Sequence, residues 1–158
     1  GVLIYMAIYL FMNIGTFAVI LSMRKEARYV ENISDLAGLN KSHPMMAFAM
    51  LIFMFSMAGI PPLAGFFSKW YVFLAAIDAG LYGLAVIGVL ASVVGAFYYI
   101  RIIKVMYFDD SDQALDSGMS ADMRVIMGAT AVVTLLFFII PAPVVDLAGL
   151  AAETLFIK

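Results

Sequence analysis

The chain predicts an all-α membrane protein of about four transmembrane segments, and three observations carry that reading. Of its 158 residues, 65% are hydrophobic and only 13% are charged, with a mean hydropathy of +1.06; soluble domains run at about 45–50% and about 25%. Surface-to-volume scaling leaves no soluble fold of this length able to hide so much apolar surface. The apolar residues also fall in long runs separated by short polar stretches, the pattern that a hydrocarbon solvent imposes. Residues 1–158 read as a single transmembrane region.

The first run spans 2–23 and is long enough for a core about 30 Å thick. It opens at Gly1 with neither a Met nor a charged stretch before it, unlike a signal peptide. The chain therefore reads as a piece of a longer polypeptide. A polar loop follows, "RKEARYVENISDLAGLNKSHP". Residues 45–78 are apolar but interrupted by Gly59, Pro61, Pro62 and Gly65. The next run, 81–108, ends on Arg101 and Lys104, cations that suit a helix C-terminus and an interface. The acidic loop "DDSDQALDSGMSAD" leads to an apolar run over 125–140, broken by "PAP" at 141–143. The tail, with sparse charges at Asp146 and Glu153, either completes the last span or lies as an interfacial helix.

The stretch 45–78 is long for one crossing and short for two. The loop at 24–43 carries Arg24, Lys25, Arg28 and Lys41, and the other basic end carries Arg101, Lys104 and Arg124. Both basic loops share a side only if 45–78 crosses once, as the positive-inside tendency favours. The expectation is a discontinuous helix: 45–59, a non-helical step, then 65–78. Pro61 and Pro62 supply the break, because each lacks an amide donor and Pro62 pushes Pro61 out of the α region. Irregular backbone at membrane depth survives only against protein or water, so the step should face inward.

Lys69 stands just past that break. A lysine can snorkel to the interface from a helix end, but here it begins a helix, where the macrodipole disfavours a cation. The favoured reading is a proton carrier, since desolvation favours the neutral amine and makes a buried lysine switchable. Tyr5, Tyr9, Asn13 and Thr16 share one face of the first helix, and Gly88, Ser92, Gly95 and Tyr99 one face of the third. Small-residue packing is the preferred account of the Gly/Ser set. The functional account makes Ser68, Tyr9, Asn13, Thr16, Ser92 and Tyr99 proton-path candidates leading to Lys69.

The same composition excludes several chemistries. There is no cysteine, hence no disulfide, thiolate metal site or iron–sulfur ligation. One histidine, His43, cannot build a haem or zinc site alone; it precedes Pro44 and reads as a solvated cap. No glycine-rich phosphate loop is present, and a net charge of −2 gives no footprint for nucleic acid. The twelve methionines read as lipid-facing and core filler. No cofactor or metal is expected in this chain.

"FMFSMAGIPPLAGFFSKWYVFLAA" (53–76) and "GVLASVVGAFYYIRIIKVMYF" (88–108), with "YLFMNIGTFAVI" (9–20) and "ISDLAGL" (33–39), resemble the antiporter-like membrane subunits of respiratory complex I (NADH:quinone oxidoreductase), the subunit N branch above all. The resemblance implies two inverted repeats, each with one discontinuous helix, of which this chain matches the end of the second, and so makes it the C-terminal part of the longer subunit. It places Lys69 at the lysine of that helix, which is a glutamate in a sister subunit. It also implies proton translocation in a bacterial inner membrane, with other complex I membrane subunits as partners. Flavin, iron–sulfur clusters and quinone would belong to partner subunits. The first repeat and the middle-helix lysine and histidine lie outside these residues. A multi-subunit cation/proton antiporter subunit and a non-transporting scaffold are the alternatives.

Overall fold

The structure is a computed structural model that describes residues 1–25, 28–30, 32–110, 115–116 and 119–156. Among the described residues seven α-helices run in sequence: α1 Val2–Ser22, α2 Leu39–Ser42, α3 Pro44–Ala58, α4 Ala64–Asp78, α5 Tyr82–Phe108, α6 Ala121–Leu136 and α7 Ala142–Phe156. The polar loop after α1 holds more structure than its composition foretells. Strands β1 (Arg24–Lys25) and β2 (Arg28–Tyr29) pair antiparallel, with Arg24 opposite Tyr29. A 3-10 turn covers Ile33–Leu36, and its Asn32 and Asp35 form a capping box.

Helices α1 and α5 are each long and apolar enough to cross a membrane. Helices α3 and α4, at 15 residues each, are about 22 Å long and fall short alone. They lie one after the other along α1. Gly1 sits against Tyr71 and Ala75 of α4. Met12 meets Ser56 near the end of α3, and Gly15 leaves room for the Phe53 ring and the Thr130 hydroxyl of α6. Val19 and Met23 share a buried cluster with Met46, Ala47 and Met50 at the start of α3.

Helix α5 is buried at Ala85, Ile103 and Met106, while Leu84, Val86, Ile87, Leu90, Val93 and Val94 are exposed. Hydrocarbon is as apolar as these side chains, so such exposure carries no penalty in a bilayer. Helix α6 starts at Ala121, four residues before the apolar run, because the Ser120 hydroxyl accepts the Met123 N–H and Asp122 complements the first turn. Helix α7 rests Val144, Val145 and Ala148 on a cluster with Ile4, Ile8 and Phe137.

At one end of the bundle the two polar loops meet. Lys41 forms an ion pair with Asp110, and the Asp116 N–H donates to the Arg24 carbonyl at 2.8 Å. The Lys41 ammonium holds the Asp110 carboxyl below its ordinary range. Lys104 pairs with Asp109 at 2.7 Å. Of the acidic loop after α5, residues 111–114 and 117–118 lie outside the described residues.

Candidate functional site

The junction between α3 and α4 is built by an exchange of caps. Gly59 closes α3 at φ +88°, a left-handed conformation that favours glycine. Its N–H donates to the Ser56 carbonyl and the Ile60 N–H to the Phe55 carbonyl, the double bond pattern of a Schellman motif. The Ala58 carbonyl is met from outside the helix: Lys69, in the second turn of α4, donates its ammonium to it at 3.2 Å. A cation belongs at a helix C-terminus. The macrodipole objection to a lysine early in α4 is thus answered by the neighbouring end of α3.

The reverse reach is equally direct. Helix α4 has no side-chain cap of its own at Leu63. The Ser56 hydroxyl of α3 accepts the Gly65 N–H at 2.8 Å and lies 3.0 Å from the Met12 sulfur. Ser56 is fully buried, so a Gly65 N–H left without it would cost about 1–3 kcal/mol. Contact this close demands a glycine, since a Cβ on Gly65 would stand 1.8 Å from the Ser56 carbonyl oxygen. Ser68, also buried, donates to the Gly65 carbonyl at 2.8 Å.

A cavity of about 230 Å³ opens beside this junction, lined by Lys69, Ser68, Ser56, Tyr5, Tyr9, Ser92, Gly95 and Tyr99 among others, with no carboxylate from the described residues in its wall. Four path candidates therefore gather around Lys69: Ser68, Tyr9, Ser92 and Tyr99. The Tyr5 and Tyr9 rings stack with centroids 5.8 Å apart. Asn13 and Thr16 line a second, larger cavity of about 340 Å³, which shares Tyr9, Met57 and Tyr99 with the first and reaches Asn32 and Ile33 of the polar loop. Each donates to its own helix. Asn13 donates to the Tyr9 carbonyl at 2.7 Å, and Thr16 to the Met12 carbonyl at 2.8 Å.

Other expectations divide. Gly88 does pack, since a Cβ there would meet the Phe73 ring at 2.8 Å; Gly95 faces only its own Tyr99 and leaves space in the cavity wall. Gly59 and Gly65 sit in the junction, but Pro61 and Pro62 are exposed on the outside of the turn. The helix ends meet inside while the connecting residues bulge outward. His43 precedes α3, with its Nδ1 buried and unbonded rather than solvated. Ser56 and the Ala58 carbonyl escaped sequence reasoning, because their partners lie across a break where helical periodicity no longer applies.

Comparison with known proteins places this geometry in a lineage. A family model described as NADH:quinone oxidoreductase/Mrp antiporter, transmembrane, matches residues 1–95. NADH-quinone oxidoreductase subunit N of Rhodospirillum rubrum is 64% identical over 155 residues, covering 98% of this chain and 32% of the relative. The subunit N of Paramagnetospirillum magneticum is 60% identical over 156 residues, with shares of 99% and 32%. A chain of respiratory complex I from Thermus thermophilus, solved with bound aureothin, superimposes with a TM-score of 0.74 at 26% identity, over 89% of this chain and 33% of that one. The chain thus spans about a third of the length of these relatives. It belongs to the NADH:quinone oxidoreductase/Mrp antiporter family of transmembrane proteins.

Proposed function

We propose that this chain is part of a proton-translocating membrane subunit of a bacterial inner-membrane NADH:quinone oxidoreductase, with Lys69 as its proton carrier. The observation that carries the reading is Lys69 itself: a half-buried ammonium donating to a helix-end carbonyl and facing a cavity lined by hydroxyl groups. A carrier needs a site that is polar enough to accept charge and loose enough to release it. Tyr9 and Tyr99, common to both cavities, link that site toward the polar loop. Other complex I membrane subunits are the partners. The redox groups, flavin, iron–sulfur clusters and quinone, belong to partner subunits.

In this proposal α3 and α4 are one crossing, interrupted near its middle, in a total of four crossings. Two findings support it. The two helices follow one another along the single helix α1, and the ion pair between Lys41 and Asp110 puts the loops before α3 and after α5 at one end. Cysteines at Ser34 and Ala121 should label from the cytoplasmic side and one at Ala79 from the other. Labelling of Ser34 and Ala121 from opposite sides would break the topology.

The carrier role is tested by pumped protons per NADH oxidised in membrane vesicles, normalised to assembled complex. Lys69→Ala should lower the ratio to less than roughly a fifth, a modest effect for removing a positioned proton-transfer group. Lys69→Arg should fail nearly as badly, because a guanidinium keeps its proton. A structural lysine serving only to cap α3 predicts the reverse, rescue by Arg, and full activity in that variant would end the carrier reading. The family's description also names Mrp antiporters. Coupling to Na⁺ instead of protons would show as Na⁺-dependent transport without NADH oxidation.

A further inference from the structure

We infer that Ser56 is a positioning residue for proton transfer, acting through Lys69 from the other side of the helix break. The inference rests on the carrier reading of Lys69. Ser56 is the last polar side chain of α3, has no exposed surface and touches two elements at once. Its oxygen accepts the Gly65 N–H at 2.8 Å, and it lies 3.0 Å from the Met12 sulfur of α1. These contacts fix the first turn of α4 against the last turn of α3. Four residues further along α4, Lys69 reaches back to Ala58, two residues beyond Ser56 on α3.

The two bonds close a ring across the break: Ser56 to Gly65, along α4 to Lys69, across to Ala58, and back along α3. A ring of this kind is stiff because helix backbone forms two of its sides. Sliding or rotating α4 by one bond length at Gly65 displaces the Lys69 ammonium from the Ala58 carbonyl. The Lys69 stem passes close over Gly59, where a Cβ would stand 3.1 Å from the Lys69 Cδ and 3.3 Å from Nζ, so the ammonium is docked against the end of α3 along its length. Ser56 also lines the Lys69 cavity. The same hydroxyl thus sets both the docked position of the ammonium and the shape of the space it enters on leaving that carbonyl.

The test is a double-mutant cycle in the assembled NADH:quinone oxidoreductase, with Ser56→Ala, Lys69→Ala and both together, read as protons pumped per NADH. Ser56→Ala should lower the ratio roughly two- to fivefold, the scale of one lost buried hydrogen bond. The double variant should match Lys69→Ala alone, since a residue that works through another has nothing left to position. Ser56→Thr, which keeps the oxygen, should restore most of the loss. If Ser56→Ala does not assemble, Ser56→Cys keeps the volume with a weaker acceptor, and its loss should likewise vanish in the Lys69→Ala background. Independent losses that multiply, or a Ser56→Ala complex pumping at the full ratio, would overturn the positioning role while leaving the carrier reading intact. Full pumping by Lys69→Ala would overturn both.

Discussion

Two junctions between consecutive helices carry prolines, and the two are made differently. Between α3 and α4 stand Gly59, Pro61 and Pro62; between α6 and α7 stands Pro141, again separating helices of 15 to 16 residues. At the first break, side chains cross over: Ser56 caps α4 and Lys69 caps α3. At the second, the backbone closes on itself. The Ile139 and Ile140 N–H groups donate to the Leu136 carbonyl, and those of Val144 and Val145 to the Pro141 carbonyl. The residues in that turn are apolar, with Phe138, Ile139 and Ile140 exposed and Phe137 buried. A proline therefore marks where a helix stops. Whether the stop becomes a site depends on polar side chains long or close enough to reach the opposite end.

The largest expected effect separates the two breaks sterically. Gly65→Ala forces a methyl into the Ser56 carbonyl and should cost about 2–3 kcal/mol, as overpacking does, read as a lower thermal unfolding midpoint and less assembled subunit. Gly149→Ala in α7 has open space around it and should be neutral or slightly stabilising, since alanine is favoured over glycine inside helices by up to about 1 kcal/mol. Equal losses from both would erase the contrast.

A functional comparison comes next. Replacing Pro61 and Pro62 together with Ala should let helix extend into the first break, leaving insertion intact but lowering proton transport several-fold, because transfer geometry is lost steeply with small displacements. Pro141→Ala should leave transport unchanged. Normal pumping by a fully assembled Pro61→Ala/Pro62→Ala variant would reduce the first break to a bend like the second.

The smallest effect lies far from both breaks, at the ion pair joining the loops. Asp110 is depressed by Lys41, so its folded value lies below its unfolded one. Its contribution is present at neutral pH and fades only as pH falls below the ordinary carboxylate range, about 4. Asp110→Asn should cause a slight, salt-sensitive drop in the thermal midpoint and no change in proton transport. A transport defect would mean that the loop end communicates with the Lys69 cavity.

Much of this was legible in the sequence because hydropathy and period 3.6 survive wherever a helix is continuous. The run 2–23 became α1 within a residue at each end, and Gly59 to Gly65 located the gap between α3 and α4. One-face spacing picked out Tyr9, Ser92 and Tyr99, which meet at one cavity. The same spacing put Asn13 and Thr16 on the neighbouring cavity, but a face does not say that their side chains also turn back on their own backbone. The start of α6 was hidden by Asp122 and Arg124, which depress hydropathy where a helix begins; Ser120 was the available signal. Ser56 was illegible, because it lies nine positions away, across a helix end, from the amide it caps.

The place of Lys69 along α1 has an electrical consequence. Its cavity is walled by Tyr5 and Tyr9, nearer the start of α1 than the polar loops that follow its end. Under the proposed carrier role, a proton entering from those loops would reach Lys69 only after passing part of the membrane's thickness. A full crossing changes a charge's energy by about 2.3 kcal/mol per 100 mV, so that change would be divided between reaching Lys69 and leaving it. Occupancy of the lysine would therefore follow membrane voltage as well as proton concentration, and a respiring cell that energises its membrane would act back on this side chain directly.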